Sequence, residues 1–286
     1  MDSYEVHKSN PDIFQQFSMK DILFLYYSCP QKEKILQLYA KHLQITFTLS
    51  GSRLLRHGGK TWETTKEKGV LLKRCAFLQE MNHKYEGWDV LVFYLKDDYL
   101  HAIFEEFKPH LKLSGLPEPN KEAMETFVIN EQISNCYKSM LPYFGKTKSL
   151  PDSILESKFK ELLFNIFSHP ENKHILSYIM RIVDRYKTPI WEIMEANYMY
   201  DLKIQDFANI SNRSVSTFKR DFIEYYKVSP GKWLTERRLN KAKSILQSTN
   251  KSISEVAFES GFTNSSHFSR IFKEKFQLCP SDFKKY

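Results

Sequence analysis

The sequence predicts an α+β protein: an N-terminal antiparallel β-barrel followed by helices, then an all-α C-terminal domain with two helix-turn-helix units joined by a linker helix. Short apolar runs separated by turn residues fill the first hundred residues, helical periodicity follows, and residues 204–286 contain one pattern twice. A chain of 286 residues that is 42% hydrophobic can build more than one core. We therefore expect domains at 1–120, 121–187 and 188–286.

The N-terminal part has the alternation and spacing of strands. Apolar or alternating runs lie at residues 22–28, 43–49, 70–75 and 90–95. Turn residues separate them at Ser50 and Gly51, at 57–59, and at Glu86 and Gly87. An antiparallel barrel or sandwich is the expected product.

Two helices with strongly apolar faces are predicted next. Their apolar positions are Ile133, Tyr137, Met140, Leu141 and Phe144 in one, and Ile154, Leu155, Phe159, Leu162, Leu163, Ile166 and Phe167 in the other. Such surface must be covered, either by the barrel or by the same helices of a second subunit, and both remain open. Residues 168–173 and 187–189 are candidate linkers.

The repeat in residues 204–286 is specific in its spacing. Ile204 and Ala208 match residues 49 positions later, whereas Phe218 and Phe222 match residues 50 positions later. One residue is therefore added in the second turn. An additional helix at 188–200 is expected to complete the first unit.

Each copy has the local signals of helix, turn and helix. Ser252 and Glu255 form a capping box, and Asn212 and Gly261 stand where the turn requires a left-handed residue. Helical spacing predicts a buried stripe made of Phe218, Phe222, Phe268, Ile271, Phe272 and Phe276.

A linker helix over Pro230–Ser248 connects the copies. Ser229 is a good N-cap and Pro230 suits the first turn. The apolar positions expected to pack on both units are Leu234, Leu239, Ala242, Ile245 and Leu246. The remaining basic residues, predicted to be exposed, are Arg237, Arg238, Lys241 and Lys243, for which solvated charge and phosphate contact both remain open.

Charge is distributed unevenly along the chain. The chain carries a net charge of +8; residues 202–286 hold 16 basic and 8 acidic residues, whereas residues 1–201 hold 26 of each. This asymmetry indicates a polyanionic partner. A membrane surface is disfavoured, because no helix combines a basic face with a broad exposed apolar face.

The faces left outside the apolar stripes have residues suited to a major groove, where arginine reads guanine and hydroxyl or amide groups reach bases and phosphates. The candidate DNA-binding residues are Ser214, Ser216, Thr217, Lys219 and Arg220 in the first copy, and Asn264, Ser265, Ser266, Ser269 and Arg270 in the second. His267 lies on the same predicted face. A plain solvated helix face is the alternative.

The motifs SVSTFKRDF, SPGKWLTERRLNKAKSILQS, ISEVAFESGF, SHFSRIFKEKF and CPSDF resemble the AraC/XylS family of transcription regulators over about the last hundred residues. The resemblance implies two helix-turn-helix units that enter successive major grooves of double-stranded DNA. By position it makes Ser216, Lys219 and Arg220 base-facing in the first recognition helix. The corresponding set in the second is Ser265, Ser266, Ser269 and Arg270.

The same resemblance suggests a cupin-like sensing domain at 1–120 and a helical dimerisation or linker region at 121–187. Metal-binding cupins use an H-x-H pair, which this sequence lacks, so His42, His57, His83 and His101 are expected to be surface or satisfied histidines and no metal or cofactor is expected. The implied partners are DNA, a small-molecule or protein effector, RNA polymerase and a second copy of the chain.

We therefore predict a sequence-specific transcription regulator, an activator controlled by an effector or partner bound to the N-terminal domain. The alternatives are a cupin-type protein that processes a small molecule and carries a DNA anchor, and a nucleoid protein without sequence preference. Nucleophile-elbow, P-loop and dinucleotide motifs are absent, so we do not expect an enzyme. The four cysteines show no paired spacing, and the N-terminus has no signal-peptide pattern, which together favour the cytoplasm.

Overall fold

The computed structural model describes residues 1–20, 22–29, 35–85, 87–144, 151–184 and 188–283. The chain forms two compact units, Met1–Lys187 and Thr188–Tyr286.

The first unit is built on two antiparallel sheets. Within its described residues, a six-stranded sheet has the order β1-β2-β9-β4-β7-β10 and a four-stranded sheet has the order β3-β8-β5-β6. The strands are β1 Gln15–Met19, β2 Ile22–Cys29, β3 Ile35–Tyr39, β4 Leu43–Gly51, β5 Arg53–His57, β6 Lys60–Thr64, β7 Lys68–Leu72, β8 Ala76–Met81, β9 Trp88–Leu95 and β10 Met124–Val128. The predicted antiparallel β-rich half is confirmed, and its four predicted strands correspond to β2, β4, β7 and β9. Glu86, predicted in a turn, lies outside the described residues.

Helices pack on both faces of the six-stranded sheet. They are α1 Ser3–Lys8, α2 Asp97–Phe107, α3 Glu131–Lys138, α4 Asp152–Ser168 and α5 Lys173–Val183. The central strands read as continuous apolar runs because both of their faces are buried. In β2, Phe24 faces the core that includes α2 to α5, whereas Leu23 and Leu25 join Tyr4 of α1 in a separate cluster.

Most apolar positions of α3 and α4 are buried within the chain itself, although Ile154 at the start of α4 is exposed. Ile133, Phe159 and Ile166 are 0% exposed and share one core with strand residues such as Phe47 and Phe93. Phe47 stacks on Tyr137 at a ring-centroid distance of 4.3 Å. Of the two coverings left open by the sequence, intrachain packing on the sheet accounts for these stripes.

Two predicted boundaries fall inside packed structure. Strand β10 follows the boundary expected at residue 120, yet it pairs with β7 at the edge of the six-stranded sheet. Asn172, in the candidate linker 168–173, is fully buried; its side-chain amide donates to the Val128 carbonyl at 3.1 Å and accepts from the Val128 N–H at 2.8 Å. This segment is therefore a clamped turn rather than a linker, because its amide satisfies the edge of β10. In the other candidate linker, Lys187 lies outside the described residues.

Two of the four histidines discussed from the sequence, His42 and His57, have protein partners, and His83 is exposed. His57 Nδ1 bonds the Ala76 carbonyl at 2.6 Å, and the His42 ring meets that of Tyr4 edge-on at 4.7 Å. Across the described ranges, no group of three or more His, Cys, Asp or Glu side chains could hold a metal ion. The same ranges contain no helix with the length and apolar character to cross a membrane.

Candidate nucleic-acid interface

The second unit repeats one helix pair almost exactly in length. Its helices are α6 Ile190–Asn197, α7 Ile204–Ile210, α8 Val215–Tyr226, α9 Pro230–Ser248, α10 Ile253–Glu259, α11 Ser265–Phe276 and α12 Pro280–Phe283. Helices α7 and α10 have seven residues each, and α8 and α11 have twelve. The added residue lies in the second turn, as the sequence offsets predict. Asn212 has φ 52° and Gly261 has φ 91°, so both turns use the predicted left-handed position.

Both recognition helices begin at a side-chain cap. Ser214 Oγ accepts the Thr217 N–H at 3.2 Å before α8, and Asn264 Oδ1 accepts the His267 N–H at 2.8 Å before α11. These two residues were predicted to face DNA, and the structure gives their oxygens a capping role that orients the first turn. The predicted capping box of α10 is present in full between Ser252 and Glu255.

The buried side of each recognition helix is aromatic. Phe218 and Phe222 of α8, and Phe268 and Phe272 of α11, are all 0% exposed. The predicted stripe therefore fixes the rotation of each helix about its axis. Each helix ends at a left-handed residue, Lys227 with φ 58° and Gln277 with φ 61°.

The opposite side of each helix presents one exposed arginine at the equivalent position. Arg220 has a 73% exposed side chain and pairs with Asp221 at 3.2 Å, and Arg270 is 63% exposed and pairs with Glu274 at 2.6 Å. Such exposed pairs contribute little to stability, so the guanidinium groups are available for a stronger anionic or guanine partner.

The smaller candidate residues differ in accessibility. Ser216, Lys219 and Ser266 are exposed, whereas Thr217, Ser265 and Ser269 are half-buried. The Ser269 hydroxyl donates to the Ser265 carbonyl of its own helix at 2.9 Å. His267, equivalent to Thr217 in the repeat, is exposed. The exposed residues in the first half of α11 are thus Ser266, His267 and Arg270.

The linker helix α9 has a different basic face from the one predicted. Arg238 is half-buried and donates from Nε to the Tyr198 carbonyl at 2.7 Å and from Nη2 to the Tyr200 carbonyl at 2.8 Å. Arg237 pairs with Glu195 at 2.7 Å. The prediction of exposure was wrong for Arg238, because the carbonyls that follow the end of α6 need donors and a guanidinium supplies two. It was also wrong for Lys241 and Lys243, which are half-buried; the Lys243 ammonium lies over the rings of Phe276 and Phe283, 5.3 and 5.5 Å from their centroids.

The boundary between the units also weakens the charge asymmetry. Residues 188–286 hold 16 basic and 11 acidic residues, and residues 1–187 hold 26 basic and 23 acidic. A division at residue 201 places Glu192, Glu195 and Asp201 with the first unit, although they belong to the second. The positive excess of the second unit is therefore real but moderate, and it is larger around the two recognition helices than around α6.

Two protein families match this chain along most of its length. Residues 207–286 match a helix-turn-helix domain, and residues 44–178 match the ExsA N-terminal regulatory domain. The chain is a DNA-binding transcription regulator of the AraC/XylS family.

Its relatives include regulatory proteins of Yersinia pestis and Pseudomonas aeruginosa. This AraC-family regulator is 24% identical to the thermoregulatory protein LcrF of Yersinia pestis over 233 residues, which is 82% of this chain and 85% of LcrF. It is 31% identical to the transcriptional regulator ExsA of Pseudomonas aeruginosa over 124 residues, which is 43% of this chain and 45% of ExsA. Among solved structures, an apo form of ToxT from Vibrio cholerae overlaps with a TM-score of 0.45 at 16% identity, covering 93% of this chain and 97% of ToxT.

Proposed function

We propose that this regulator activates transcription by reading two short DNA boxes, one with each recognition helix, under the control of its first unit. The observation that carries the proposal is the repeated pair of Arg220 and Arg270, which stand at equivalent positions on α8 and α11 and are both exposed. A solvated face explains one such arginine as well as a DNA contact does. Two of them, on helices of equal length in one compact unit, favour DNA readout.

The DNA-facing set that we propose comprises Ser216, Lys219 and Arg220 in α8 and Ser266, His267 and Arg270 in α11. Thr217, Ser265 and Ser269 stand beside them with half-buried side chains, and Ser214 and Asn264 act through their helix caps. The N–H groups of each first helical turn are also positioned to meet a phosphate.

Selection of bound sequences from random DNA with the full chain tests this reading. Two recognition helices on one face of DNA require two specified boxes about 10 to 10.5 base pairs apart. Inserting about 5 base pairs between the boxes should lower the affinity towards that of one unit, because the second box then lies on the opposite face. A single selected box, or indifference to the insertion, would contradict the proposal.

Division of labour follows from the two compact units. We expect a fragment of residues 188–286 to bind the selected site, and residues 1–187 to show no DNA binding. Electrophoretic mobility shifts with both fragments and the full chain measure this directly. Binding by 1–187 alone would refute the assignment.

Control by the first unit is proposed from its regulatory-domain match and its cavities. One cavity of about 560 Å³ is lined by apolar Leu49, Ile129 and Leu141 together with two lysines and two glutamates, Lys66, Lys138, Glu67 and Glu131. Such a lining suits a small effector with an apolar body and polar groups, and a protein partner is the other class of effector. We propose that the regulator contacts RNA polymerase and acts in the cytoplasm, where that enzyme and the DNA are found.

We propose that two copies act together on DNA. Because most of the apolar stripe residues of α3 and α4 are already buried, pairing would use their exposed positions, such as Ile154 of the α4 stripe, which is 45% exposed. Sedimentation of the full chain with and without DNA tests pairing, and a monomer at every concentration would contradict it. Transcription from a promoter that carries the selected site, reconstituted with purified RNA polymerase, tests activation.

A further inference from the structure

The middle of the linker helix holds a contact that involves both helix-turn-helix units. Arg238 lies near the centre of α9 and binds two carbonyls of the segment between α6 and α7, those of Tyr198 at 2.7 Å and Tyr200 at 2.8 Å. These carbonyls belong to the first helix-turn-helix unit. A planar guanidinium that donates to both holds α9 in one orientation against that segment.

The turn between α10 and α11, in the second helix-turn-helix unit, contacts the same segment and Arg238. A Cβ built on Gly261 would lie 2.8 Å from the Met199 carbonyl oxygen and 2.9 Å from Arg238 Nε. The backbone of the turn between α10 and α11 therefore contacts Met199 of the first helix-turn-helix unit and Arg238 directly. The equivalent position in the first copy, Asn212, holds a side chain in the same left-handed conformation. The requirement for glycine is thus a property of this junction rather than of the turn itself.

Helix α9 alone provides only part of the connection. Its first half packs through Trp233 on Phe222 and Tyr226 of the first helix-turn-helix unit, with ring centroids 6.1 and 5.1 Å apart. Its second half contributes Leu239 and Leu246 to the core of the second helix-turn-helix unit. A helix shared by two cores sets their separation, and a lateral contact is needed to restrict their relative tilt. Arg238, Met199 and Gly261 form that lateral contact.

We propose that Arg238 is a positioning residue that sets the angle between the two recognition helices and thereby determines which spacing of DNA boxes the protein accepts. This inference rests on the proposed two-box function. It assigns no DNA contact to Arg238 itself, because the guanidinium donates from Nε and Nη2 to backbone carbonyls.

The neighbouring Arg237 is a matched control. It lies on the same helix, has the same charge and is 44% exposed in its side chain, where it pairs with Glu195 and covers the Tyr198 ring at 5.2 Å. Among the contacts described, it makes none with the second helix-turn-helix unit. Replacement of either arginine by methionine removes one positive charge and retains an unbranched apolar stem.

The experiment measures affinity of the full chain for the selected two-box site, for sites whose boxes are moved by one or two base pairs, and for a single box. Wild type and Arg237→Met should both prefer one spacing sharply. Arg238→Met should lose roughly tenfold or more at that spacing, since two charge-assisted hydrogen bonds are lost, and should bind all spacings with similar strength. Its affinity for the single box should equal that of wild type.

Each outcome decides the matter. An unchanged spacing profile in Arg238→Met would overturn the proposal, and so would an equal loss on the single box, which indicates a general folding role. If thermal unfolding shows that Arg238→Met is not folded, Arg238→Lys takes its place, because an ammonium reaches one carbonyl and should broaden the profile partly; a folded Arg238→Lys with the wild-type profile refutes the role. If wild type itself has no preferred spacing, the two-box function fails first.

Discussion

Gly261→Ala tests the junction between the helix-turn-helix units through stability. Gly261 has φ 91°, and an added Cβ would lie 2.8 Å from a backbone oxygen and 3.1 Å from the Met199 carbonyl carbon. Backbone atoms cannot move aside as a flexible side chain does. The substitution must therefore displace the second turn from the segment before α7.

Two costs add in this variant. A left-handed backbone costs a residue with a Cβ about 1 to 2 kcal/mol, and overpacking against fixed atoms costs about 1 to 3 kcal/mol. A total of about 3 kcal/mol in a unit of this size corresponds to a fall in melting temperature of roughly 12 to 24 °C. The loss should be confined to the transition of the second unit.

Scanning calorimetry of the full chain measures this, with Gly115→Ala as the control. Gly115 also has a positive φ, 71°, but a Cβ there meets nothing within 4 Å, so only the conformational cost of about 1 to 2 kcal/mol applies. If the free energy of unfolding lost in Gly261→Ala is no larger than that lost in Gly115→Ala, the proposed contact has no energetic weight.

Three further outcomes are expected. Arg220→Ala and Arg270→Ala should each cost about 1 to 3 kcal/mol on the selected site and less on random DNA; equal loss on both, measured by fluorescence anisotropy, would make them phosphate contacts. Ser252→Ala should cost about 1 kcal/mol of stability by removing the cap of α10, and an unchanged melting temperature would refute this. Burial lowers the pKa of both His7 and His42 from 6.5 to about 4, so the unfolded chain binds more protons between these values, and the free energy of unfolding should fall as pH drops from 6.5 towards 4. A His7→Gln variant should show a shallower fall in urea unfolding, and an identical one would contradict the reasoning.

Local signals explain why the C-terminal unit was predictable from sequence. The bounds of α9 agree with the predicted Pro230–Ser248, because an N-cap at Ser229 and proline in the first turn mark its start. The left-handed positions at Asn212 and Gly261 follow equally from residue type. The sequence pattern also identified the central strands of the first unit, whose apolar runs are long.

Tertiary contacts explain what was missed. An arginine on a helix has the same sequence signal whether its guanidinium meets solvent or two carbonyls 40 and 38 positions earlier, so Arg238 could not be distinguished from Arg237. Likewise, the short strand β10 carries few residues, and its place at a sheet edge depends on pairing with β7 far upstream. The sequence predicts a linker at Asn172 because the partner of its amide, Val128, lies on that strand, 44 positions earlier in the chain.

The sharing of α9 between two cores also has a consequence for synthesis of the chain. A ribosome releases α7 and α8 before Trp233, whose ring closes the aromatic cluster around Phe222 and Tyr226. The first DNA-reading half therefore stays incomplete until α9 emerges, and translation stopped just after α9 would leave Leu239 and Leu246 without α10 and α11 to cover them. The apolar surface left exposed on such a truncated product would make it prone to aggregation.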